Sequence, residues 1–362
     1  MSKRAVVSLL FIVLHGLACL AMAFPYHRDV GTALLVLLFT VACGLWVTLF
    51  VVWRRPVWHG VFFAVWAIAL LVVFFVGWGD GWFQPVRDEG ELAQTGVPEA
   101  WFSDGPAPGG ASEVGFPPYG EAFARKGIDQ PISTLTDLAF ISAGFVIVLL
   151  ASLVTLEIQE GRPGGTTLFP IGSNAAVRWD RPFVWLLGLV VIFMGPASMY
   201  LHASFRNWAG WMDSFSVYNL GLFGLSFVVF RLIRALKPGE LAPWVFALGL
   251  YLILAVTFGL IGSKGEARIY LIAIGLGLWL VAELALAIGL AVGFSGRGYF
   301  IAWWWGAAFL VLFAAAGVFK FFVESTGKFD TAWQPHGLFH TLAATALPFG
   351  YLYWASERTA KT

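Results

Sequence analysis

Gly195-Pro196-Ala197-Ser198-Met199-Tyr200-Leu201-His202, running on through Arg206-Asn207-Trp208 to Asp213, joins two strongly apolar segments. A hydroxyl, an imidazole and a carboxylate at such a join are costly unless they have partners. A second fragment near the other end of the chain, His336-Gly337-Leu338-Phe339-His340, supplies two more imidazoles. The reading that accounts for both is that Ser198, His202, Asp213, His336 and His340 meet in space around one metal ion.

The rest of the chain says what kind of solvent surrounds that meeting point. Hydrophobic residues make up 59% of the 362 and charged residues only 12%. That is more apolar surface than a soluble domain can bury, so the solvent is lipid and the protein is a polytopic, all-α integral membrane protein. A formal net charge of +1 gives no basis for a nucleic-acid or strongly acidic partner. No glycine-rich phosphate loop, Cys-x-x-Cys or basic stripe with interleaved aromatics occurs. Cys19 and Cys43 both fall inside apolar runs, where packing is the expected role.

Ten apolar runs are long enough to span a hydrocarbon core at about 1.5 Å of helix rise per residue. They cover Ala5 to Phe24, Gly31 to Trp53, Val57 to Trp78, Pro131 to Leu156, Pro182 to Phe205, Gly210 to Ile233, Leu241 to Gly262, Arg268 to Phe294, Tyr299 to Phe322 and His336 to Tyr353. Behind the first run, Ala21-Met22-Ala23 resembles a signal-peptidase site, but the run exceeds a usual signal core and a retained helix is preferred. Three regions follow: helices in 1–78, a Gly- and Pro-rich connector in 79–130, and seven helices in 131–356. Basic residues in short loops set the orientation. Lys3 and Arg4, Arg54 and Arg55, then Arg162, Arg178 and Arg181, then Arg231, Arg234 and Lys237, then Arg297, and finally Arg358 and Lys361 fall on one side. The connector, with nine acidic against three basic residues, falls on the other. Both termini are therefore expected in the cytoplasm, and the Ser198–Asp213 and His336–His340 ends outside it.

Within that threading the histidines separate by their company. His27 and His59 flank apolar runs, His15 lies within the first run with no acidic companion at helical spacing, and all three read as hydrogen-bonded, packed or interfacial imidazoles. Ser198 and His202 are four residues apart, as are His336 and His340, so each pair shares one helix face. Two imidazoles at that spacing hold zinc in helical sites. Pro335 just ahead suits a first helical turn, where its missing N–H costs nothing. Three imidazoles leave a fourth position open on zinc for water, as in catalytic rather than structural sites. Such a water has a pKa lowered toward about 7. Asp213 then serves as general base or orienter, and Ser198 as a hydrogen-bond donor to the oxyanion or partner of the water. The natural reaction is hydrolysis of an acyl bond in a substrate reached from the bilayer. A bis-histidine haem site is the chemical rival, and it leaves the third histidine, Ser198 and Asp213 without tasks.

The order Ser198, His202, Asp213, His336, His340 resembles the CREST membrane hydrolases, and among them the alkaline ceramidases. Gln130-Pro131-Ile132-Ser133-Thr134-Leu135-Thr136-Asp137 is similar to the Asn-Thr-x-Ser-Asn stretch that opens that group's first core helix. Tyr119-Gly120-Glu121 is similar to the Cys-Glu element ahead of it. The resemblance covers roughly residues 119 to 356. It implies a seven-helix core preceded by about three extra helices, zinc on His202, His336 and His340, Asp213 and Ser198 in the catalytic shell, and hydrolysis of the N-acyl bond of a ceramide-like lipid. The chain departs from the pattern at Ser133 and Asp137, where the family has Asn, and at Gly120, which replaces Cys. The family's calcium site would fall to Glu121 with Asp129 or Gln130, a thin set for an ion that takes six to eight oxygens.

The alternative from another class is a metal-containing seven-helix lipid receptor or sensor without turnover. A transporter using Glu283 and the histidines for protons is a third reading. Glu283, well inside its run and far in depth from the metal, reads as a protonated or hydrogen-bonded structural carboxylate. Arg206 and Asn207 read as capping or solvated residues. Tryptophans near span ends read as an interfacial belt.

Overall fold

The computed structural model describes residues 130–159, 177–204, 207–236, 242–262, 268–293, 299–323, 335–356 and 358–359. The three expected N-terminal spans, the cysteines, His15, His27, His59, and the connector with Tyr119, Gly120, Glu121 and Asp129 lie outside the described residues.

An apolar run surrounded by lipid has no water to satisfy its backbone, so each run closes its hydrogen bonds internally as a helix. The described helices are α1 (Pro131–Thr136), α2 (Leu138–Gln159), α3 (Val177–Ser204), α4 (Asn207–Leu236), α5 (Ala242–Gly262), α6 (Arg268–Gly293), α7 (Trp303–Val318) and α8 (Pro335–Ala355). A π turn, Phe319–Val323, continues α7. Among the described residues, four stretches are long and apolar enough to cross a bilayer: Gly210–Ile233, Val245–Gly262, Tyr270–Gly289 and Trp303–Val323. Shorter apolar stretches, Leu138–Val148 and Leu186–His202, lie within α2 and α3. The protein is thus a helical membrane protein, as its composition requires. Large apolar side chains such as Ile253, Val256, Val281, Leu284, Trp303 and Val311 point outward, which is the expected face toward lipid.

Two segments differ from the sequence reading. The single span expected from Pro131 breaks at Asp137 into α1 and α2. The span expected from Tyr299 begins as a helix only at Trp303, because Tyr299–Phe300 (β1) pairs antiparallel with Arg358–Thr359 (β2). The Ala302 N–H donates to Ser356 Oγ at 2.8 Å beside that pair. The start of α7 is thereby tied to the end of α8, so the end of α7 lies beside the start of α8.

α2 packs on α3 and α8, α3 on α4, α4 on both α5 and α6, and α7 on α8, while α1 wedges between α3 and α8. Close backbone approach depends on small residues, as is usual between helices in lipid. A Cβ on Gly221 of α4 would lie 2.4 Å from the Gly275 carbonyl carbon of α6, and one on Gly188 of α3 only 2.4 Å from Val148 of α2.

One polar cluster ties α4, α6 and α8 together at the end of the bundle away from His336. Arg231 Nη1 meets Glu283 Oε1 at 2.5 Å, and Trp354 Nε1 donates to the other Glu283 oxygen at 3.1 Å. The side chains of the pair are 5% and 15% exposed. Glu283 is therefore the hydrogen-bonded structural carboxylate expected of it. Arg231, counted above among the loop charges, instead lies inside α4 with its guanidinium turned into the bundle. Along α8, Trp354 is about 27 Å from His336 at 1.5 Å per residue.

Removing one member of a buried ion pair strands the other, at a cost of about 3–5 kcal/mol. Glu283→Ala is expected to lower the thermal unfolding midpoint of detergent-solubilised protein markedly. The double replacement Arg231→Met with Glu283→Leu is expected to recover most of the loss, and equal losses in the two proteins would contradict the pairing.

Candidate metal centre

His202 lies in the last turn of α3. His336 and His340 occupy the first two turns of α8, with Pro335 as the first residue of that helix. The expected N-terminal placement of Pro335 holds, and it sets both imidazoles of α8 on one face. The three histidines converge although 134 residues separate the first two. Their exposures are 1%, 2% and 2%, so none is an interfacial histidine. One nitrogen from each lies within 4.8 Å of the others. His202 Nε2 and His336 Nε2 are 3.3 Å apart. Two nitrogens each roughly 2.0–2.1 Å from one tetrahedral ion are separated by about that distance. The rings stand at 60° to 74° to one another, approaching one point from different directions. A haem would need two rings facing each other across the slot of a porphyrin plane.

Which nitrogen faces inward is set from outside the cluster. A metal-ligating imidazole offers a lone pair on one nitrogen and donates the N–H of the other to an acceptor, which orients the ring. His202 Nδ1 lies 3.0 Å from Gln130 Oε1. The Gln130 backbone N–H donates to the His202 carbonyl at 2.9 Å, so this residue grips His202 by main chain and side chain together. His340 Nδ1 lies 3.1 Å from Thr136 Oγ1 and 3.1 Å from Asp137 Oδ1. Thr136 donates its own hydroxyl proton to the Ser133 carbonyl at 2.9 Å, which leaves its oxygen free to accept from His340. Neither Asp137 oxygen completes a well-aligned hydrogen bond, although the side chain is fully buried. The break between α1 and α2 thus serves the site, because it delivers Gln130 to one histidine and Thr136 with Asp137 to another.

Ser198, one turn before His202, is buried and faces two carboxyl groups: Asp213, in the second turn of α4, and Asp137. The structure therefore brings Ser198, His202, Asp213, His336 and His340 to one end of the bundle. Residues not read as site members from the sequence join them. Lys320, in the π turn, places Nζ 3.2 Å from His336 Nδ1 and is an electrostatic neighbour of Asp213. Gln130, offered above as an alternative to Asp129 in a calcium site with Glu121, presents its side-chain oxygen to His202. Asp137 had one usable signal, a carboxylate inside an apolar run. Lys320 had a misleading one, since a lysine near a span end ordinarily snorkels to the interface.

Three buried imidazoles, two of them with Nδ1 held by oxygen acceptors, fit a divalent metal ion bound through inward nitrogens. The set of three matches the ligand number of open, catalytic zinc sites and falls short of the four protein ligands of structural ones.

Loss of an outer partner of a metal-bound histidine typically weakens metal affinity by roughly 10–100-fold. Gln130→Leu is expected to do so in a chelator competition with zinc, whereas Gln130→Glu, which keeps an acceptor, retains most of the affinity. His202→Ala is expected to abolish stoichiometric metal in elemental analysis, and full zinc content in that variant would rule the centre out. Comparison of the chain with protein-family models, with curated proteins and with solved structures found no match, so the site stands on its own geometry.

Proposed function

We propose that the protein is a zinc-dependent membrane hydrolase that cleaves the N-acyl bond of a ceramide-like lipid reaching the site from the bilayer. The observation that carries this reading is the convergence of three buried imidazoles within 4.8 Å, at the end of the bundle where Ser198 and Asp213 also meet. The order of these residues along the chain, which resembles the alkaline ceramidases of the CREST superfamily, supports the substrate class. Charge placement in the loops supports cytoplasmic termini, a site toward the opposite side, and three further helices ahead of the 79–130 connector.

Zinc at this position supplies Lewis acidity and a water that ionises near neutral pH. The residues of the chain then divide the remaining work. Gln130 and Thr136 hold the imidazoles of His202 and His340 in register, and the Asp137 carboxyl lies beside His340. Asp213 accepts a proton from the attacking water and passes it to the departing nitrogen. Ser198 has one hydroxyl proton, and with two carboxyl groups in front of it that proton holds Asp213 in place. In the overall reaction the water oxygen forms the new bond to the acyl carbon and the C–N bond breaks. The nitrogen leaves with both water protons, giving a fatty carboxylate and a protonated amine.

Removal of a positioned general base costs about 10²–10⁴-fold in rate. Purified zinc-loaded protein is expected to release fatty acid from a ceramide in micelles, to stop on chelation, and to resume on adding zinc back. Asp213→Ala and His336→Ala should each reduce release by at least the lower figure. Stoichiometric zinc without turnover of any N-acyl lipid would favour the lipid sensor instead.

A further inference from the structure

Asp213 sits in the second turn of α4, and the end turns of a helix are the ones that fray most readily. A base that works beside a metal cannot share that freedom, because a displacement of about 1 Å can cost roughly 10²-fold in rate. What holds this end of α4 lies on the face opposite the carboxyl. Trp211, Phe215 and Tyr218, spaced by four and three residues, share one face of the helix. Asp213, two residues beyond Trp211, leaves the helix about 200° from it, toward Ser198.

The aromatic face meets the end of α5. That helix stops at Gly262, so its last four carbonyls have no N–H of their own helix to accept from, and at membrane depth no water replaces it. Gly259 carries the first of the four. The Trp211 Nε1–H donates to the Gly259 carbonyl at 3.0 Å, and Arg268 Nε donates to that of Gly262 at 3.1 Å. The Tyr218 hydroxyl adds a longer bond to the Phe258 carbonyl at 3.3 Å. Trp211 also stacks on Phe215, with centroids 5.5 Å apart and planes at 24°. Glycines on α5 permit this approach: a Cβ on Gly259 would lie 3.3 Å from the Phe215 ring, and one on Gly262 only 2.7 Å from the Tyr218 oxygen. Of the two hydrogen bonds that α4 makes here, that of Trp211 is the nearer to Asp213 in the chain, and the indole N–H is the one donor its side chain has.

Resting on the hydrolase reading above, we infer that Trp211 is a positioning residue. By holding the Gly259 carbonyl it fixes the outer turns of α4, and with them the place of the Asp213 carboxyl relative to the three imidazoles. α5, which packs on α4, thereby serves the site as a buttress.

Trp211→Phe keeps an aromatic ring to stack on Phe215 and removes the N–H. In zinc-loaded protein this variant is expected to lose about tenfold in kcat for a ceramide in micelles, with KM and zinc content close to those of the wild type. Trp211→His, whose five-membered ring can carry an N–H at the same point, is expected to keep most of the rate. Amide exchange followed by mass spectrometry gives a readout without turnover. Residues 211–217 of Trp211→Phe are expected to exchange at least about fivefold faster, the scale of one hydrogen bond, while residues 222–236 keep the wild-type rate. Unchanged exchange over 211–217 would overturn the inference. So would faster exchange with an unchanged kcat, or a fall in zinc content as large as the fall in kcat, which marks a merely structural role. Faster local exchange in Trp211→Phe, beside a wild type that cleaves no N-acyl lipid, would sink the hydrolase reading and leave the anchor of α4 standing.

Discussion

A neutral imidazole has one N–H and one lone pair, and inside an apolar bundle both must find partners or destabilise the fold. Burying three of them at one point is the constraint on which the rest of this structure depends. Two are satisfied on their outer side by a short segment, Gln130 to Asp137, whose backbone would otherwise continue α2 without interruption. The turn at Asp137 costs one helical junction and places Gln130, Thr136 and Asp137 within about 3 Å of those histidines. The inner nitrogens are left facing one another, an arrangement that a shared metal ion turns from a conflict into a set of bonds.

The same constraint explains how the helices around the site are tied. His202 must arrive at the end of α3 as His336 arrives at the start of α8. The pairing of Tyr299–Phe300 with Arg358–Thr359 sets α7 against α8 so that Lys320 reaches the same end. At the other end, Arg231, Glu283 and Trp354 join α4, α6 and α8. The bundle is thus pinned by polar contacts at both ends and packed between them by apolar side chains and close glycine crossings. A cluster of imidazoles needs such support, because metal ligands must be held within a few tenths of an ångström of their working positions.

The helices were legible because composition excludes water as the main solvent and lipid then leaves the backbone one economical solution. The four-residue spacing within Ser198–His202 and His336–His340 was legible for a similar reason, since helical periodicity converts spacing into a shared face. Glu283 was read correctly as structural, because an acid so far from the histidines in depth has little else to do. Its partner was not legible. Arg231 looks like a loop charge until the length of α4 and the position of α6 bring its guanidinium to that carboxylate. Asp137 and Gln130 were noticed only as a departure from a pattern and as a weak calcium ligand. Their contacts depend on a helix break that apolar periodicity conceals.

By itself the sequence determined the helical, lipid-embedded class, the faces on which the paired side chains lie, and the identity of the three histidines that could share an ion. These follow from local rules, the period of a helix and the cost of a polar group in hydrocarbon. Only the tertiary structure decided that the three imidazoles lie within 4.8 Å of one another. It alone decided which nitrogen of His202 and His340 turns inward, and that Lys320 points at the site rather than at the interface. Those depend on distances between segments far apart in the chain, set by how whole helices pack rather than by any residue's neighbours in sequence.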